Sequence, residues 1–202
     1  MIKKLGKEDP AVSVSERSAY VEKLLVEHCS PTLASIKTGN LFSISYDNLS
    51  QLNEVVGIWN EFFQSKGVTV CILKKGGGRA MLYVYRRTKL EKDLKKRGVF
   101  RFLRSCGYES DDCGYAVERL KKRIAECDSF PHEIGLFLGY PLGDVEGFIK
   151  YGGKNSKLTG YWKVYVNEKE ASETFRKFTK CREVYSKLWN EGKRSVIQLT
   201  VS

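Results

Sequence analysis

Read for the spacing of its apolar residues, the chain divides into helical and extended stretches with few gaps. Residues 13–30 place Val21, Leu24, Leu25 and His28 along one helical face, with Ser13 and Glu16 spaced as a capping box and Pro31 as the stop. A short strand follows at 41–45. Asp47 or Asn48 then caps a second helix, whose Leu49, Leu52, Val55, Val56, Trp59, Phe62 and Phe63 hold helical spacing as far as Lys66-Gly67. Such a stripe is a core face and not a cofactor box. Residues 68–73 and 80–85 read as two strands joined by a glycine-rich turn.

The segment 86–104 reads as one helix or two short ones ending near Gly107, and 111–130 as another, with Val117, Leu120 and Ile124 inward. Residues 160–167, "GYWKVYVN", read as a strand. Asn167 and Glu170 cap a long helix with Ala171, Phe175, Phe178, Cys181, Tyr185 and Leu188 on its inner face, ended by Gly192. Residues 195–201, "SVIQLTV", close the chain as a last strand. Helices alternating with about five strands, without repeats or linkers, predict a single α/β or α+β domain over 1–202. It would hold a mixed sheet with flanking helices, and residues 1–12 as a flexible lead-in.

The chain carries a net charge of +11, and its distribution matters more than its size. Nine basic and two acidic residues lie within 86–104, a net of +7, so this one stretch holds most of the excess. Lys95, Lys96 and Arg97 are its densest run and the first candidates for contact with an anionic partner. The triple glycine before Arg79 could wrap an anion, but it leads into a strand and lacks the Lys-Ser/Thr pair of a phosphate loop. A hairpin tip is the better reading.

No window approaches the roughly 18 apolar residues of a membrane helix, and no apolar run follows the first lysines as in a secretory signal. A cytoplasmic protein is expected. The six cysteines include no Cys-x-x-Cys and read as reduced thiols.

The least generic stretch is "PHEIGLFLGYPLGDVEGFIKYGG", 131–153. Its apolar positions fit two short helices around Gly139-Tyr140-Pro141, with Ile134, Leu138, Val145 and Phe148 inward. That spacing also fits a DNA-reading helix-turn-helix. Against this, the second helix offers Asp144, Glu146 and Lys150, and two carboxylates are repelled by phosphates. His132 and Glu133 are adjacent and point about 100° apart on a helix, so they are not an acid–base pair with each other. A fold that joined His28, Cys29 and His132 would create a metal or thiolate site near a helix N-terminus, with Cys29, His132 and Glu133 as candidate catalytic groups.

Three motifs, "HCSPTLASIKTGNLFSI", "PHEIGLFLGYPLGDVEGFI" and "GYWKVY" with the later "KCREVYSKL", resemble the clostridial domain-of-unknown-function family 3793, in order and over nearly the whole chain from about Val21 to Val201. Ala34-Ser35 stands where Ala-Gly is usual in that family. The resemblance implies a bacterial protein with a link to iron or redox physiology, and marks His28, Cys29, Lys37, His132, Glu133, Tyr161 and Lys163 as candidate positions. The leading expectation is a non-enzymatic accessory protein that binds a small anion or an acidic partner, such as a flavodoxin-like carrier or another polyanion. Its anion-binding candidates are Lys37, Arg79, Lys95, Lys96, Arg97, Tyr161 and Lys163. The alternatives are nucleic-acid binding through 86–104 or the 131–151 corner, and a thiol- or metal-dependent enzyme centred on Cys29 and His132.

Overall fold

The computed structural model describes residues 14–126 and 130–202. The expected flexible lead-in and the Ser13–Glu16 capping box fall outside that description. At the centre is an antiparallel sheet of β1 (Gly39–Ser45), β2 (Val68–Gly76) and β3 (Arg79–Arg86), in the order β1-β3-β2. Alternation along β3 explains why both faces must be covered. Ala80, Leu82 and Val84 point into one core while Tyr83 and Tyr85 point into another.

The first core is roofed by α1 (Val14–Leu33) and α2 (Leu49–Gln64), joined by the short C-terminal helix at Val196–Leu199. Asn48 caps α2, its side chain accepting from the Ser50 and Gln51 amides, and Leu52, Val55, Trp59 and Phe63 form the buried stripe the periodicity predicts. The second core is roofed by α3 (Arg87–Leu94), α4 (Val99–Ser105), α5 (Cys113–Glu126), α6 (Ile134–Phe137) and α7 (Leu142–Tyr151). A two-stranded hairpin, β4 (Leu158–Thr159) with β5 (Lys163–Val164), follows α7 and leads to the long helix α8 (Glu168–Asn190), which packs along α1. The last helix, α9, spans Val196–Leu199.

The α/β character agrees with the sequence, with three local differences. The five described strands form two separate antiparallel sheets and not one mixed sheet. Pro31 lies inside α1 and not past its end. It sits near the last turn, where only one intrahelical bond is lost, and its carbonyl accepts from the Ile36 and Lys37 amides as the chain turns out. Residues 195–201 are not a strand. Ser195 caps α9 through a reciprocal bond with Gln198, so a capping box overrides the apolar alternation that pointed to extended chain.

The corner at 131–151 forms as two helices meeting at Gly139, whose φ of 81° belongs to the left-handed region that glycine adopts freely. Ile134, Leu138 and Val145 are buried and Phe148 is half-buried.

One side chain holds three chain ends to the sheet. Arg86 closes β3 and is only 4% exposed. Its guanidinium donates to the carbonyls of Thr32 (2.7 Å), Leu33 (2.6 Å), Lys66 (3.0 Å) and Val201 (2.6 Å). Replacing Arg86 by Met takes a donor from four carbonyls, of which Thr32 and Leu33 keep the Ser35 and Val201 amides, and is expected to destabilise the protein by about 3–5 kcal/mol in urea unfolding. A loss below about 1 kcal/mol would show that the clamp is dispensable.

Candidate functional site

The loop leaving α1 carries Lys37-Thr38-Gly39 into β1, and it meets the corner of the second motif face to face. Gly39 has no room for a side chain. A Cβ there would stand 2.6 Å from the Tyr83 ring and 3.1 Å from the Phe137 carbonyl, and the Tyr83 hydroxyl donates to that same carbonyl at 2.6 Å. On the other side of the contact, a Cβ on Gly139 would stand 2.7 Å from the Thr38 hydroxyl. Gly39 thus admits the Tyr83 ring and the Phe137 carbonyl, and Gly139 admits the Thr38 side chain, where the first and second motifs touch.

The third motif joins from beneath. Tyr140 stacks on Trp162 with centroids 4.8 Å apart, and its hydroxyl donates to the Tyr161 carbonyl at 3.2 Å. Buried Asp144 accepts from the Trp162 indole N–H (2.8 Å) and from the Tyr165 and Val166 amides (2.7 and 3.0 Å). Three donors on one carboxylate hold residues 162–166 against α7, which is why only Lys163–Val164 of the expected longer strand pairs as a strand. On α7 itself, Gly143 and Gly147 are covered by Val166 and Tyr165. The face a DNA-reading helix would offer is therefore partly packed inside the protein, and Asp144 is committed to holding the chain.

Lys37 lies in this junction, 5% exposed, with its ammonium over the Tyr140 ring at 5.4 Å and donating to the Gly39 carbonyl at 2.6 Å. Burial lowers its pKa from 10.5 to about 8, and the neighbouring Cys29 partly opposes the shift. It is not an exposed anion-binding group. Cys29 itself is fully buried in the first core, and burial holds its thiol well above the usual range despite Lys37. The expected reactive thiolate is thus corrected to a core thiol protected from ionisation.

The proposed meeting of His28, Cys29 and His132 does not occur. His28 is exposed and stacks on Phe42 of β1, on the side of the first core. His132 is exposed and packs edge-on against Phe148 of α7, among the helices over the other face. Among the described residues no group of three or more His, Cys, Asp or Glu side chains could hold a metal ion. Glu133 is buried, paired with Arg123 and accepting from the Tyr108 hydroxyl at 3.3 Å, so it braces α5 against the corner. Five described cysteines are free: Cys29, Cys71, Cys106, Cys113 and Cys181. Burial pushes Cys71 up to about 12, and Cys113 and Cys181 up to about 11.

The remaining candidates separate in space. Tyr161 is half-exposed, wedged against Phe175 and Phe178. Lys163 spends its ammonium on the Gly153 carbonyl. Arg79 is exposed at the β2–β3 hairpin tip, at the far end of β3 from Arg86. The basic segment resolves into α3 and α4, separated by Gly98 at φ 85°. Arg86 is buried and leaves the patch. Arg87 pairs with Glu91 (2.9 Å), and Lys96 with Asp93 (2.7 Å), which also accepts from Thr38. Lys92, Lys95, Arg97, Arg101 and Arg104 are exposed and make no ion pair among the described residues.

A family model described as a protein of unknown function (DUF3793) matches residues 25–200. The chain belongs to this family. No curated protein and no solved structure matches it. The match embraces all three motifs, and the geometry shows them packing on one another at the Lys37–Tyr140–Trp162 junction. No described helix is long and apolar enough to cross a membrane.

Two outcomes check this account of the family motifs. Alkylation of the native protein with iodoacetamide is expected to leave Cys29 the slowest of the described cysteines; fastest labelling there would reverse the reading. For Lys37, the folded pKa lies below the unfolded one, so between about 8 and 10.5 the unfolded chain binds more protons and stability rises with pH. The penalty is fully present below about 8. The stability of the wild type relative to Lys37→Met should therefore improve from pH 7 to pH 10 in urea titrations. A constant difference between the two would refute the buried, destabilising charge.

Proposed function

We propose that this family member is a binding protein that holds an acidic partner protein on the exposed surface of α3 and α4. The observation that carries the reading is the state of its cations. Lys92, Lys95, Arg97, Arg101 and Arg104 stand in solvent without a carboxylate among the described residues, on two short helices anchored by Leu90, Leu94, Val99 and Leu103. A fold that only needed solubility has no reason to gather one sign of charge on one firmly packed surface, and such fields steer oppositely charged partners into contact. An acidic protein suits the patch better than duplex DNA. The α6–α7 corner has Asp144 bound inward and two glycines under the β5 segment, so α7 does not offer that face to a groove. An acidic electron carrier of the flavodoxin type is the test partner, in line with an iron or redox role.

The experiment is a titration of the purified protein with a flavodoxin and, separately, with duplex DNA, each at about 50 and about 300 mM salt. Flavodoxin binding is expected to weaken at least tenfold over that range and to be lost in the Lys95→Glu, Arg97→Glu, Arg101→Glu triple variant. Sequence-selective DNA binding, or no flavodoxin binding at low salt, would overturn the proposal.

A further inference from the structure

β2 is an outer strand of the three-stranded sheet, and a free strand edge is a template for pairing with another chain. Here the edge is met by one side chain. The Asn60 carboxamide donates to the Val70 carbonyl at 2.8 Å and accepts from the Val70 amide at 2.8 Å. Val70 sits opposite Val84 of β3, so these groups turn away from the sheet and Asn60 meets them where the next strand would run. A carboxamide has the donor and acceptor of a peptide group, and it stands in for one. Val68 and Ile72, two residues to either side, turn their N–H and C=O groups the same way. No loop, helix or side chain bonds to them among the described residues.

Along this edge lies an open cleft of about 450 Å³ lined by Asn60, Glu61 and Gln64 of α2, Gly67, Val68 and Thr69, and Arg87 at the start of α3. Its floor is strand, one wall is helix, and Arg87, the first residue of α3, completes its lining. We propose that this cleft takes an extended peptide as a fourth strand beside β2, with Asn60 as a removable placeholder and an acidic residue of the peptide replacing Glu91 in its exposed, weak pair with Arg87. This deepens the acidic-partner reading and rests on it. Glu61 on the α2 wall restricts acidic residues to the Arg87 end. A second copy of the chain fits poorly. Antiparallel pairing of two β2 edges about Val70 brings the Lys74–Lys75 end of one strand towards the Lys66 turn of the other, and like charges brought together are destabilising.

The test uses a blocked peptide of about seven residues, valine and threonine with glutamate only at the end that would reach Arg87, long enough to span the free part of β2. Its binding is followed by fluorescence anisotropy and by the NMR shift of the Val70 amide. Binding is expected to move Val70, to weaken at least tenfold when alternate peptide nitrogens are methylated, and to weaken several-fold in Arg87→Gln. In Asn60→Ala, checked for folding by thermal melting, affinity should rise several-fold because the placeholder is gone.

Equal binding of the methylated peptide would overturn the added strand and leave the acidic-partner reading standing. An unmoved Val70, or Asn60→Ala that dimerises without taking the peptide, would overturn it likewise. If the Val70 shift persists while flavodoxin binding is absent, the surface reading fails and the cleft stands as a peptide site of its own.

Discussion

A buried guanidinium with carbonyls for partners is the constraint on which the other contacts depend. Arg86 is surrounded by the ends of other elements: Thr32 and Leu33 close α1, Lys66 follows α2, and Val201 lies in the tail after α9. Helix C-termini carry partial negative charge on carbonyls that have no intrahelical donor, so the cation is stabilised without a carboxylate while those carbonyls are satisfied. The same residue's backbone amide donates to the Thr38 carbonyl at 2.9 Å, which fixes the exit of the Lys37–Gly39 loop. From there the order passes on: Gly39 admits Tyr83, Tyr83 holds the Phe137 carbonyl, and Thr38 seats Gly139. The convergence of the family motifs is thus a consequence of one clamp at the end of β3.

Much of the architecture was legible in the sequence because apolar spacing records burial directly. The α2 stripe, the β2–β3 hairpin, the inner face of α5 and the corner at Gly139 all follow from period and turn chemistry. What could not be read was the fate of polar residues, since composition does not distinguish a solvated charge from a buried one. Arg86 belonged by sequence to the basic run, yet it is structural. Asp144 looked like a carboxylate spoiling a recognition helix, yet it binds the backbone of residues 165 and 166. Asn60 lay unremarked between Trp59 and Phe63, because nothing local marks an amide that will meet a strand edge. The Ser195–Gln198 pair was the one missed signal the sequence did contain, a capping spacing masked by apolar alternation.

The histidine and cysteine candidates failed for a related reason. His28 and Cys29 were expected at the end of the first helix, just before a stop at Pro31, but α1 continues through Pro31. Cys29 then falls on the inner face of α1, while its neighbour His28, about 100° round the helix, falls outside on Phe42. One helical step separates a core thiol from an exposed imidazole, so adjacency in sequence becomes division in space. Lys37 shows the converse. It looked like a loop cation for ligands, but the packing of Gly39 and Tyr140 encloses it, and the protein bears a destabilising charge at neutral pH.

The two ends of the electrostatic design bear on one another at the β2 edge. A three-stranded sheet has two edges, and this protein guards the β2 side with a register break between Ile72 and Lys74, with two exposed lysines, and with Asn60 at the centre. The lysines repel a second copy of the same basic chain but attract an acidic one, so the guard is selective by sign. Asn60 contributes the other half of that selectivity. A side-chain amide exchanged for a peptide amide gives up two hydrogen bonds and regains two at the same positions, so the exchange itself costs little. The balance is then decided by what a partner adds beyond Val70: bonds at Val68 and Ile72, and charge at Arg87 and the helices behind it. A strand of the wrong sign gains the first and loses the second, which lets an edge be open to one class of partner and closed to the protein's own copies.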